Sequence, residues 1–285
     1  MKRRYWKNCA LPLAAIIFLS NQPVVAAVCM IGECSEMTNE FRTMELRPKS
    51  IALLPARSTL TEDGIFSSEE HVGETALLEA SLAKQLSKEI DDLGYEVRVV
   101  TLDEINADPQ LTLLMNEADQ RFDEEYNKIV AFKISKVKYR RYTIGEPGRL
   151  LADYLDVDAV AFPRMQAIGA SGSAKTLSII KGSNSSGRIY MEFGLVHART
   201  GDVEAFFGAI NHGGMFGKSI SSILKKPDKH MKKIAETATK KMPKVGKALK
   251  PKSLDADEET RELVLYDPVD EDAVFDDLEG LLDEE

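Results

Sequence analysis

Histidine and cysteine are scarce in this chain, four of the one and three of the other among 285 residues. No two of His71, His197, His212 and His230 have the close spacing of a zinc-binding pair, so the common metal-ligand motifs are missing. Positive charge is not in excess either. The formal net charge is −9, which argues against nucleic acid as a general partner. Long apolar runs are confined to the N-terminus, and there Asn21, Gln22 and Pro23 interrupt the stretch from Ala10 to Ile31.

A phosphate loop is also lacking. The stretch "AIGASGSAKTLSIIKGSNSSGR", Ala167 to Arg188, resembles one at first sight, because Lys175 is followed by Thr176. Ala174, however, takes the place of the glycine that must precede the lysine, and the following "TLSII" suits a strand where a phosphate loop opens a helix. Neither Gly169-Ala170-Ser171-Gly172 nor Gly182 to Gly187 supplies the G-x-S-x-G of a nucleophile elbow. The stretch is therefore expected to connect two antiparallel strands, with no cofactor bound. Asp156 and Asp158 are expected in a solvated loop rather than as an acid–base pair, and no catalytic constellation is found.

What the chain does have begins at its N-terminus. Lys2, Arg3, Arg4 and Lys7 precede an apolar core from Ala10 to Ser20, and Val25 and Ala27 occupy the −3 and −1 positions of a signal-peptidase site. That is the layout of an export signal over residues 1–27, cleaved after Ala27. An uncleaved anchor and a lipid on Cys29 are the alternatives, the second disfavoured because Val28 is large for a lipobox. Cys29 and Cys34, spaced "CMIGEC", suit a small disulfide loop or two free thiols. Residues 28–48 have no periodicity and are expected to form a linker.

The α/β domain is expected over residues 49–250. Ile51 to Leu54 form an apolar run closed by Pro55, as in a strand buried on both faces. A helix follows over Val72 to Leu93, with Ala76, Ala80, Ala83, Leu86, Ile90 and Leu93 on one face and Gly94 as its stop. "YEVRVVTL" completes a βαβ unit with parallel strands. Asp108 and Pro109 cap a second helix whose stripe is Leu111, Leu114, Ala118, Phe122, Tyr126 and Ile129. A short helix and a third strand centred on Ala159 to Phe162 come next. Gly187 to Ile210 reads as a hairpin turning at Thr200-Gly201-Asp202, with Ile189, Met191, Phe193 and Leu195 on one face. The last helix is expected over Asp228 to Leu249, kinked or split at Pro243, its apolar face running from Met231 to Leu249. The fold class is thus α/β, a small sandwich of a mixed sheet with packed helices.

Charge is segregated at the C-terminal end. From Lys218 to Lys252 there are twelve lysines against Asp228 and Glu236; from Ser253 to Glu285 there are fifteen acids against Arg261. Residues 251–285 have the composition of an acidic, disordered tail. Lys232, Lys233, Lys240, Lys244 and Lys247 lie away from the apolar stripe. They form either a solvated face of a packed helix, a surface for anionic membrane contact, or a docking face for the tail.

Four segments carry a resemblance to a family. "IALLPA" at Ile51 to Ala56, the helix leading into "LGYEVR", "ADYLDVDAVAF" and "LVHARTGDVEAFF" resemble the bacterial envelope proteins related to the CsgG curli-secretion component, the amino-terminal domain of TolB and the lipoprotein LpoB. The likeness covers residues 49 to 249. His197 stands where that pattern has an aspartate, and Phe206 and Phe207 stand near its tryptophan. The resemblance implies an α/β sandwich and a binding or assembly role without catalysis, in the periplasm or at the outer-membrane periphery, with an envelope protein as partner. An oligomeric outer-membrane secretion component of the CsgG type and a hydrolase with an unrecognised site are the alternatives. The first of these needs long lipid-facing strands, and Met165 to Glu192 alternates only weakly.

Overall fold

Ile51, Ala52 and Leu53 are inaccessible to solvent, and the strand they form lies inside the sheet. The computed structural model describes residues 33–63, 68–70, 72–131, 142–170, 188–212 and 220–251. The signal segment, Cys29, Lys175 and the acidic tail lie outside the described residues.

Among the described residues, eight strands form one mixed sheet: β1 (Glu33–Met37), β2 (Ser50–Leu53), β3 (Arg57–Asp63), β4 (Ser68–Glu70), β5 (Glu96–Val99), β6 (Ala159–Ala170), β7 (Arg188–His197) and β8 (Val203–His212). Their order is β1-β8-β7-β6-β2-β5, with β3 on β6 and β4 on β3. The expected βαβ unit is present, because β2 and β5 pair in parallel around α2 (Val72–Asp91). Gly94 follows that helix at φ 92°, a conformation that costs glycine nothing.

β6 is much longer than its apolar centre. β2 runs parallel to Ala159–Ala161, and β3 then takes over beside Arg164–Ala170. Pro163 falls at the change of partner, where a missing N–H donor is least costly. β6 and β7 pair antiparallel from Ala159↔His197 to Ile168↔Arg188. The glycine-rich stretch is thus flanked by antiparallel neighbours, while residues 171–187 themselves lie outside the described residues.

Alternation along the strands divides the core. Ile51, Leu53, Phe193, Leu195 and Phe207 face α2 together with α1 (Asn39–Thr43), α6 (Ile220–Leu224) and α7 (Pro227–Thr239). Ala52, Leu54, Val160, Phe162, Val196 and Phe206 face α3 (Leu102–Ala107), α4 (Pro109–Ala131) and α5 (Glu146–Leu155). Helices therefore cover both faces of the sheet.

Three expectations need correction. Residues 28–48 are not all linker: Glu33–Met37 pairs with β8, Thr38 caps α1, and Phe41 packs on Phe207 with ring centroids 6.3 Å apart. "ECSEM" carries no apolar period because an edge strand can be held by its backbone bonds alone. The buried stripe of α2 is Leu78, Leu82, Leu86 and Ile90, whereas Ala76 and Ala80 are exposed. Leucines win that face because each buries more apolar area than an alanine. The last helix stops at Thr239 rather than running to Leu249, four residues before Pro243, whose ring would clash with the preceding turn.

Candidate functional site

Several ionisable groups of the interior form a cluster beneath α4. Asp119 and Asp123, four residues apart, lie on the same helical face. Arg164 from β6 reaches both: its Nη2 donates to Asp119 Oδ1 at 2.7 Å and to Asp123 Oδ1 at 2.6 Å, and its Nε to Asp123 Oδ1 at 3.0 Å. Arg57, across the β3–β6 register from Arg164, caps the same two carboxylates from the solvent side. The Arg164 guanidinium also stacks 5.1 Å from the centre of the Phe122 ring. One turn further, Tyr126 donates to Glu192 at 2.5 Å. Burial, then the Glu192 charge and hydrogen bond, pushes the Tyr126 phenol far above its ordinary range, so it is held protonated as a donor. Two carboxylates facing two guanidinium groups, and a phenol facing a carboxylate, are mutually satisfied. The arrangement braces α4 against β3, β6 and β7.

The residues before β6 act as joints. The Asp158 carboxylate accepts from Lys49 N (2.8 Å) and Ser50 N (3.0 Å), and the Ser50 hydroxyl accepts from Asp158 N (2.9 Å). Burial raises the Asp158 carboxyl, but these bonds outweigh it and hold the pKa below the ordinary value. Asp156 is the left-handed C-cap of α5. The pair thus has separate structural duties: both residues are solvent-exposed, as expected, and Asp158 is in addition tied into the start of β2. His197 Nδ1 accepts from Arg199 N at 3.1 Å in the hairpin turn, and burial, followed by the Arg199 charge, lowers its pKa.

The outer surface differs. α7 packs Met231, Ile234, Ala235 and Ala238 into the core, as its pattern predicts. Met242 is buried beyond the helix, and Val245 packs against the same core. Lys232, Lys233, Lys240, Lys244 and Lys247 are all exposed. Of these, Lys232 pairs with Glu236 at 3.6 Å. The lysine-bearing segment after α7 is pinned from below. Tyr95 donates to Pro243 O at 2.7 Å, Arg47 donates to Lys244 O and Lys247 O, and Leu249 N donates to Arg42 O at 2.8 Å. Burial pushes the Tyr95 phenol up to about 12, so this donor too keeps its proton at neutral pH.

At the other end of the helix, Ser221, Ser222, Lys225, Lys226, Lys229 and His230 line a shallow cleft of about 410 Å³. Asp228 does not face these lysines alone, because Ser81 Oγ (2.6 Å) and Lys84 Nζ (3.0 Å) bind it and tie the start of α7 to α2. Those bonds, the Ser81 one foremost, hold the Asp228 carboxyl below its usual pKa. The cleft was not foreseen. Its signal in the sequence is "SSILKKPDKH", a lysine cluster around the proline that opens α7.

Of the two cysteines, Cys34 stands opposite Gly208 in the β1–β8 pairing, and Cys29 lies outside the described residues. Among the described residues, no group of three or more His, Cys, Asp or Glu is placed to hold a metal ion, and no helix is long and apolar enough to cross a membrane.

No family model and no curated protein matches the chain. Among solved structures, the PelC dodecamer from Paraburkholderia phytofirmans is similar at 8% identity and a TM-score of 0.32, over 71% of this chain and 97% of that one. A point variant of that dodecamer in another crystal form gives 9% identity and a TM-score of 0.30, over 73% of this chain and 99% of that one.

Proposed function

We propose that the chain is an exported, non-enzymatic binding or assembly accessory of the bacterial cell envelope, and that it meets an anionic partner surface through the exposed lysines on and beside α7. One observation carries this reading. The buried charges beneath α4 satisfy one another, whereas a run of exposed lysines lies on α7 and the segments that flank it. Lys225, Lys226, Lys229, Lys233, Lys244 and Lys247 are exposed and have no acidic partner among the described residues. The signal layout ending at Ala27 supports export, and the resemblance of Ile51–Ala56 and Leu195–Phe207 to the CsgG-related proteins supports the envelope.

The apolar side of α7 is occupied by the core, so this face binds by charge and not by insertion. Two measurements test the reading together. N-terminal sequencing of the native protein should begin at Val28, and capture from native envelopes should retain a partner that is lost when Lys225, Lys226 and Lys229 are changed to Glu. A mature chain beginning at Met1, or equal capture by the charge-reversed protein, refutes it. Extraction only in detergent as a large ring would favour the secretion-component reading instead.

A further inference from the structure

We infer that the acidic C-terminal segment of this chain, residues 253–285, docks on the lysine face and occupies it until a partner displaces the segment. The inference rests on the lysine face being the contact surface, but its own test needs no partner.

Charge complementarity is the first argument. Between Lys225 and Lys250 ten lysines are exposed, against Asp228 and Glu236, and both acids are already engaged, by Ser81 with Lys84 and by Lys232. The segment beyond carries fifteen acids against Arg261. The second argument is where the chain leaves. Pro251 is the last described residue, and Lys250 O is held by Arg42 Nε at 3.0 Å, beside the Lys244 and Lys247 carbonyls that Arg47 binds. The acidic segment therefore starts from the lysine face itself.

Reach is the third argument. The chain beyond Pro251 is long enough to extend at most about 110 Å, and α7 is about 20 Å long, so the cleft at its far end lies within range. Tethering holds the carboxylates at an effective concentration on the order of millimolar. No external anion must be gathered from solution. Single exposed ion pairs are weak, but here many can form and exchange, and the cleft groups Lys225, Lys226 and Lys229 for several carboxylates at once. A lipid surface competes less well, because α7 has no apolar side left to insert.

The test uses the full chain. Equal amounts of isotopically heavy and light protein are mixed at low concentration and treated with a carbodiimide, which joins a carboxylate only to an amine in contact with it. Light–light and heavy–heavy links from acids after residue 253 to Lys225, Lys226, Lys229 or Lys233 are expected, in excess over links to the exposed Lys49. They should fall about tenfold or more in 1 M NaCl, where the screening length is about 3 Å. Absence of such links, or mixed heavy–light links approaching half of the total, overturns the inference, the latter assigning the face to a second copy. A further arm measures sedimentation with vesicles containing phosphatidylglycerol. Changing Asp255, Asp257, Glu258 and Glu259 to their amides should strengthen that association several-fold. An unchanged strong association assigns the face to a membrane and refutes docking. Failure of the parent protein to capture any partner, with the links intact, would instead refute only the proposed function.

Discussion

Arg164→Met is the most direct probe of how the sheet and α4 are joined. The side chain is 8% exposed, and its two partners, Asp119 and Asp123, are 12% and 31% exposed. Methionine has a similar reach and no charge, so the substitution removes the guanidinium without opening a large void. It leaves two carboxylates facing the layer under α4, and removing one partner of a buried pair costs about 3–5 kcal/mol. Arg57 stays within reach of both carboxylates but is 53% exposed, so it offsets only part of the loss. The stacking on Phe122 is lost as well. A cost near the lower limit, about 3 kcal/mol, is expected, which for a domain of this size lowers Tm by about 6–12 °C. Arg57→Met should cost less than about 1 kcal/mol, as befits an exposed pair. Adding Asp119→Asn and Asp123→Asn to Arg164→Met should recover part of the stability, because the uncompensated charge is gone. Urea unfolding followed by circular dichroism gives all the values. An Arg164→Met protein as stable as the parent, or a larger loss from Arg57→Met, would show that the cluster is not a buried brace.

Three further outcomes are expected. Gly194→Ala should cost about 1–3 kcal/mol, because a Cβ there would come within 2.6 Å of the Phe122 ring, itself stacked 4.6 Å from Phe162 and unable to move aside; a harmless variant in thermal melts would contradict that packing. His197→Asn keeps an acceptor for Arg199 N but removes a group whose folded pKa lies below the ordinary 6.5. Since the unfolded chain takes up the proton first, the parent should lose stability as pH falls from neutral through 6.5 toward the folded pKa, and the variant should lose less in Tm series from pH 7.5 to 5.5; identical slopes refute the assignment. Phe193→Asp places a charge in a fully buried layer and should abolish folding, at a cost approaching the stability of a whole domain, whereas Tyr190→Asp, at a half-buried position, should leave a folded but weakened protein by the same melts.

Where apolar residues repeat, the sequence was a good guide. The βαβ unit, the stripe Leu111–Tyr126 on α4, the hairpin face Ile189–Leu195 and the buried side of α7 follow from spacing alone, because burial of that face is what selects the spacing. β1 and β3 were illegible for the opposite reason. "ECSEM" and "RSTLTED" are held largely by backbone bonds to β8 and β6, and a ladder leaves no mark on hydropathy. In α2 the expected face is buried at Leu86 and Ile90, but its first alanines, Ala76 and Ala80, are exposed. Alanines and leucines both repeat there, and Leu78, Leu82 and Leu86 take the interior because they remove more apolar surface from water.

The two sets of charges show why the site was only half visible. Arg164, Asp119 and Glu192 are buried, and Lys233 and Lys244 are exposed, yet nothing in their composition distinguishes them. A buried charge is defined by what lies opposite it, here a residue 41 to 45 positions away for the Arg164 pairs and 66 for Tyr126 with Glu192. Those partners become neighbours only once α4 has folded across β6 and β7. Some local trace existed. "AFPR" places an arginine at the end of an apolar run, and Asp119 and Asp123 flank the α4 stripe to which Tyr126 belongs. The lysine face and the acidic segment need no such coincidence of distant positions. Their interaction depends on how many charges of each sign the chain carries and how short the tether between them is, and both quantities are fixed by the order of residues. A proposed contact between lysines and acidic segment can therefore be argued from a sequence whose buried structural charges cannot be, and salt-insensitive contacts fixing the segment elsewhere would refute it.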